Sequence, residues 1–233
     1  MSLGPVWRLR KRTAEDIPSS QVEEIELEGQ KAASSHSPIL DMDWAQLKAK
    51  VAGCTDCKLR AGCSQTVFGV GDEKAQWMLV GEAPGSDEDR LGEPFVGQAG
   101  KLLDNMLAAI SLGRGENVYI ANVLKCRPPG NRNPEPDEVA KCSPHLLRQI
   151  ALIQPKLILA MGRFAAQTLL GTDATITSLR GKVHRYAGMP LVVTYHPAYL
   201  LRNLPDKSKA WADLLFAKKT MGKGGQNNIS SEA

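Results

Sequence analysis

Four short apolar runs, at residues 76–80, 118–122, 157–160 and 191–195, recur along the chain with helix-length segments between them. No other feature constrains the fold as much. Runs of this length between turn-forming residues read as strands, and helical patterns fall between them at 97–110, 136–152 and 163–170, with a closing helix over 208–220. Successive strands separated by helices are joined by crossovers, so the chain is expected to form an α/β fold around a mainly parallel sheet covered on both faces. Residues 181–195, with Gly188 at a turn, are expected to add a short antiparallel strand.

Composition limits how much else the chain holds. At 233 residues and 42% hydrophobic, it supports one substantial core. That core is expected over residues 41–220. Residues 1–40 mix charge, Ser, Gly and Pro without periodicity and read as a disordered or loosely attached tail, and 221–233 reads as a flexible second tail. No apolar run approaches the roughly 20 residues of a membrane span, and the start MSLGPVWRLRKRT lacks the apolar core of a secretion signal. A cytoplasmic protein without a membrane partner is therefore expected. The net charge of +4 permits a polyanionic partner without requiring one.

The residues after each strand locate the chemistry. The first is followed by the glycine- and carboxylate-rich stretch GEAPGSDEDRLGEPFVGQAG, residues 81–100; the second ends at Asn122; the third leads into Gly162 and Arg163; the fourth leads into His196. In a parallel sheet the carboxyl ends of the strands open on one crevice. Glu82, Asn122 and His196 are therefore expected to meet although more than a hundred positions separate the first from the last. Taken singly, each has an ordinary alternative: a helix cap, a turn closer or a structural histidine.

The cysteines form a second group. Cys54 and Cys57 make a Cys-x-x-Cys, and Cys126 and Cys142 flank the turn-rich stretch RPPGNRNPEPDE. An odd total of five argues against a disulfide framework and for metal ligation in a reducing compartment. Four thiolates suit zinc or an iron-sulfur cluster equally, and Cys63 reads as an extra thiol.

Three stretches, GEAPGSDEDRLGEPFVGQAGKLLD, VYIANVLKCRPPGNRNP and YHPAYLLR, resemble in order the signature regions of the family-4 uracil-DNA glycosylases. Cys54, Cys57, Cys126 and Cys142 match that family's four iron-sulfur ligands. The resemblance spans about residues 44–217. It implies a three-layer α/β/α fold, a [4Fe-4S] cluster with a structural role, and removal of uracil from DNA as the first step of base-excision repair. Uracil-containing DNA, single- or double-stranded, is the expected partner, and a monomer is expected.

The resemblance also assigns residues. It implies that Glu82 stabilises the developing sugar cation and orients the attacking water, that His196 donates to uracil O2, and that Asn122 pairs with O4 and N3–H of a flipped base stacked on Phe95. Ala83, Pro84 and Gly85 are expected to line the pocket, and Glu88 to crowd C5 against a thymine methyl. Tyr199 and Leu200 are expected to act in the DNA-facing loop after His196, with Arg163 and Arg202 on phosphates. Uracil glycosylases of the best-known family carry Asp and Tyr where this chain has Ala83 and Gly85, which leaves Glu82 as the catalytic carboxylate. Asp89 is followed by RLGEP without the histidine of relatives that become trapped on uracil, so no covalent complex is expected.

Overall fold

The computed structural model describes residues 38–224. Its frame is set by β2 (Trp77–Gly81), β3 (Val118–Asn122) and β4 (Leu157–Met161), in which every residue is buried. Strands buried on both faces have no reason to alternate polar with apolar residues, so they read as continuous apolar runs. With β1 (Val70–Gly71), β5 (Val183–Tyr186) and β6 (Met189–Thr194) they form one sheet in the order β1-β3-β2-β4-β6-β5. The four inner strands pair in parallel; β1 and β5 are antiparallel at the edges. The β5–β6 hairpin turns at Ala187 and Gly188, at φ 47° and 83°, the two positive values that match a tight turn to the strand twist.

Alternate residues of each strand feed two cores. Trp77, Leu79, Ile120 and Leu159 meet Leu103 and Leu107 of α3 (Gln98–Ala109) and Leu214 of α8 (Lys207–Gly224). Met78, Val80, Ala121 and Ala160 meet Leu146 and Ile150 of α4 (Pro136–Ile153) and Ala165, Ala166 and Leu169 of α5 (Arg163–Leu170). The result is a three-layer α/β/α arrangement. The strand connections run from β2 to β3 on one side and then back past β2 to β4, so a switch point lies at the carboxyl end of β2.

Four further α-helices are α1 (Trp44–Ala52), α2 (Ser86–Leu91), α6 (Ile176–Leu179) and α7 (Pro197–Arg202). Helix α1 begins at a capping box, in which Asp43 Oδ1 accepts from Gln46 N at 2.8 Å and Gln46 Oε1 accepts from Asp43 N at 2.9 Å.

Two expected boundaries shift. A 3-10 turn at Pro38–Asp41 buries Ile39, so the folded part begins before residue 41. Helix α8 runs to Gly224, past residue 220, because Met221 still packs on the core. The rest of both expected tails lies outside the described residues. Among the described residues no helix is long and apolar enough to cross a membrane.

Candidate active site

Register places the site. Gly81 pairs directly with Asn122 across β2 and β3, so Glu82 leaves the sheet at the level where the Asn122 side chain stands. A Cβ on Gly81 would lie 2.4 Å from Asn122 Oδ1 and 2.7 Å from Phe95 Cζ. The glycine is thus required for the amide and the ring to share this edge. Gly162 leaves β4 at φ 92°, and a Cβ there would lie 2.8 Å from His196 Cβ. Both glycines mark close approaches that no local sequence signal reveals.

Around this edge opens a cleft of about 840 Å³. Of the residues singled out in the sequence, Glu82, Ala83, Pro84, Gly85, Glu88, Phe95, Asn122, Arg163, His196, Tyr199 and Arg202 line it. Leu200 does not: it is 1% exposed and packs with Tyr195 and Ala210. The expectation that it faces DNA is corrected by helix phase. In α7 successive side chains point about 100° apart, and the one directed outward is Leu201, 42% exposed.

Three polar groups lining the cleft stand out by their burial and hydrogen bonding. Burial pushes the Glu82 carboxyl up to about 7, with the Arg163 guanidinium acting in the opposite direction. Asn122 is buried, and its Oδ1 has no hydrogen-bond partner. A buried amide oxygen left unpaired is costly, and a ligand N–H would satisfy it. His196 caps α7: its Nδ1 accepts from Ala198 N at 3.1 Å. Burial, then Arg202, lowers its pKa to about 4. The ring is therefore neutral near pH 7, and because Nδ1 is an acceptor its proton sits on Nε2.

Phe95 and Glu88 shape the walls. The Phe95 ring centroid lies 5.4 Å from that of His196, tilted by 30°. Glu88, expected to crowd C5, lines the cleft. Its oxygens accept from Gly85 N at 3.1 Å, Val96 N at 3.0 Å and Gly97 N at 3.2 Å, which pins the loop around the ring. Tyr199 stacks on Tyr195 at 5.1 Å, and Arg180 lies over Tyr195 at 4.5 Å. This column supports the chain where His196 leaves β6.

The cysteines meet elsewhere. Cys54, Cys57, Cys126 and Cys142 line one small pocket of about 20 Å³ together with His145. Burial, followed by the neighbouring thiols, drives the Cys126 thiol far above its ordinary range, and burial lifts Cys142 to about 11. Crowded, buried thiols are reluctant to ionise alone; a soft cation reverses this, so the donor set fits a metal centre. Lys125 N donates to Cys142 Sγ at 3.3 Å, and His145 Nε2 lies 3.7 Å from Cys54 Sγ. Cys63 stands beside Cys126 without lining the cavity. His145, one turn after Cys142 on α4, escaped the sequence reading, although that i, i+3 spacing was a usable signal. Lys125 escaped as well. Its buried ammonium donates to Asn122 O at 2.9 Å and Gln149 Oε1 at 2.7 Å, tying the end of β3 to α4.

Comparison with known proteins gives this geometry a context. A family model described as the uracil DNA glycosylase superfamily matches residues 68–215. A type-4 uracil-DNA glycosylase of Archaeoglobus fulgidus is 49% identical over 160 residues, 65% of this chain and 80% of that protein. One of Thermotoga maritima is 44% identical, over 66% of this chain and 81% of that protein. A type-5 uracil-DNA glycosylase of Pyrobaculum aerophilum is 32% identical, over 56% of this chain and 64% of that protein.

Proposed function

The chain belongs to the uracil DNA glycosylase superfamily, in its type-4 branch, and from that membership and the chemistry of the cleft we infer that it is a uracil-DNA glycosylase. It hydrolyses the bond between uracil and deoxyribose in DNA, single- or double-stranded, and so opens base-excision repair. The buried, partnerless Oδ1 of Asn122 carries the reading. Uracil offers N3–H to that oxygen and O4 to the amide N–H. Cytosine offers the reverse pattern and leaves both groups unpaired, a penalty large enough for strong discrimination.

The reaction needs negative charge at the sugar and donors at the base. The target base leaves the stack, since its glycosidic bond is out of reach in a duplex. It stacks on Phe95 between Asn122 and His196, with Ala83, Pro84 and Gly85 along its edge. Glu88, held by three backbone N–H groups, is the fixed wall at C5 where a thymine methyl would collide. As the glycosidic bond breaks, the bonding pair goes to uracil. His196 Nε2–H donates to O2 of the resulting anion, and the Glu82 carboxylate faces the oxocarbenium ion and directs water to C1′; as the C1′–O bond forms, the water gives up a proton, and the uracil anion takes one up, which completes the hydrolysis. Arg163 and Arg202 meet phosphates; Tyr199 and the exposed Leu201 face the gap left by the base. Among the described residues that line the cleft none is a lysine, which favours hydrolysis over imine formation and strand cleavage.

A panel of single-lesion oligonucleotides tests the assignment. Uracil opposite guanine, and uracil in a single strand, are expected to yield abasic sites that break only after alkali. Turnover of hypoxanthine or thymine mismatches with uracil untouched would reject the assignment, as would binding without turnover.

The quartet of Cys54, Cys57, Cys126 and Cys142 is the proposed seat of a [4Fe-4S] cluster. When bound it cross-links the segments that carry these residues, and its role is structural. Five cysteines, four of them assigned to a metal centre, suit a reducing cytoplasm, where we place the protein as a monomer. Anaerobically purified protein is expected to be coloured, with a broad visible band from iron-thiolate charge transfer, and to carry iron and inorganic sulfide. Cys126→Ser is expected to lose that band, bind substoichiometric iron and melt several degrees lower. Colourless wild-type protein with one zinc ion per chain would refute the cluster.

A further inference from the structure

Phe95 stands at φ 57°, in the left-handed region that a side chain of its size occupies only when its surroundings impose it. What imposes it is visible on both sides of the residue. Behind it, Gly100 of α3 lies against the Phe95 carbonyl so closely that a Cβ there would sit 1.7 Å from the oxygen. After it, Glu88 holds the N–H groups of Val96 and Gly97. Before it and at its own carbonyl, the grip belongs to Arg114. This residue comes from the loop between α3 and β3 and does not line the cleft. Its Nη1 donates to Pro94 O at 2.8 Å and its Nη2 to Phe95 O at 2.7 Å. Its Nε and Nη2 reach Asp104 Oδ1 at 3.1 and 2.9 Å, which sets the plane of the guanidinium.

The geometry has a specific consequence. Two carbonyls bound to one rigid, planar group fix the peptide planes on either side of Phe95 Cα, and those planes determine where the Cα–Cβ bond and the ring point. The ring has little latitude, because Gly81, Asn122 and His196 crowd it. A lysine at position 114 has a single nitrogen and cannot hold both carbonyls and the Asp104 carboxylate in this fork.

We propose that Arg114 is a positioning residue for base excision: oriented by Asp104, it clamps the Pro94 and Phe95 carbonyls and so fixes the ring on which the extruded base stacks. This rests on the reading of Phe95 as the stacking platform.

The test is a double-mutant cycle on the full chain, read as single-turnover rate and as affinity for uracil-free duplex. Arg114→Lys and Arg114→Ala are each expected to slow uracil release by about tenfold to a hundredfold, the scale of a misplaced reacting group, with duplex affinity within about twofold. In a Phe95→Ala background the same substitutions are expected to cost less than about twofold, since the ring they aim is gone. Asp104→Asn is expected to give a smaller loss that likewise vanishes without the ring. An equal loss in both backgrounds would overturn the clamp while leaving Phe95 as the platform. A wild-type rate for Phe95→Ala would remove the platform and the clamp with it. If Arg114→Ala does not fold, Arg114→Lys decides: wild-type turnover in that variant sinks the proposal.

Discussion

Glu82→Gln is expected to lower the single-turnover rate of uracil release about a thousandfold at pH 8. A carboxylate about 4 Å from a full positive charge, at the effective dielectric of a partly buried site, contributes roughly 4 kcal/mol. At roughly 1.4 kcal/mol per decade, that energy corresponds to about three decades in rate. The amide has nearly the shape of the acid and none of its charge, so the loss isolates electrostatics from packing. Because burial holds the wild-type carboxyl near 7, the wild-type rate is expected to climb with pH across that value, while the variant has no such limb.

Stability moves in the opposite sense to activity. The folded protein binds the Glu82 proton more tightly than the unfolded chain does, so the native state holds more protons between about 4.5 and about 7. Stability from this group is present below that window and is lost as pH rises through it. The glutamine variant lacks this loss. Its melting temperature is expected to exceed that of the wild type at pH 8, with the difference shrinking toward pH 4. A flat wild-type rate between pH 6 and 8, or a variant within tenfold of wild type, would rule out the assigned role.

His196→Ala is expected to cost about a hundredfold to a thousandfold, the range for removing one donor from a developing anion. The loss should depend on the leaving group. Excision of 5-fluorouracil, whose anion is intrinsically more stable, is expected to suffer less than excision of uracil, because less stabilisation is demanded of the donor. An equal loss on both bases would point to positioning in place of donation. The variant also leaves Ala198 N without its cap, so a stability loss of about 1 kcal/mol is expected. The wild-type pH profile provides an independent check. With the imidazole held near 4 it is already neutral at pH 6, and no falling limb near 6.5 is expected. A bell-shaped profile with a descending limb there would mean that the charged ring is the donor.

Much of the frame was legible because it depends on local pattern. Strands β2, β3 and β4 are buried on both faces and therefore stand out as uninterrupted apolar runs. Helix α5 was read to the residue and α3 to within one residue at each end, since in each the apolar positions recur strongly at the helical period, more strongly than in the unread α1. Short elements escaped. The two residues of β1 and the six each of α2 and α7 offer too few turns or alternations to show periodicity. The consequence was largest at α7, where a segment read as a loop has no phase and the buried Leu200 could not be told from the exposed Leu201.

Sequence alone determined the α/β class, the edge of the sheet where the cleft opens, and the identity of the polar groups there. The strand order of a parallel sheet brings its carboxyl ends together regardless of detail. Tertiary structure decided the states and supports of those groups: the proton of His196 on Nε2, the Glu82 carboxyl lifted toward neutrality, the unpaired oxygen of Asn122, and the clamp of Arg114 and Glu88 on the Phe95 turn. The physical reason is range. Propensity and periodicity act within a few residues, whereas burial, hydrogen-bond partnership and the clearance that demands a glycine at positions 81, 100 and 162 are set by atoms brought close only when the chain is folded.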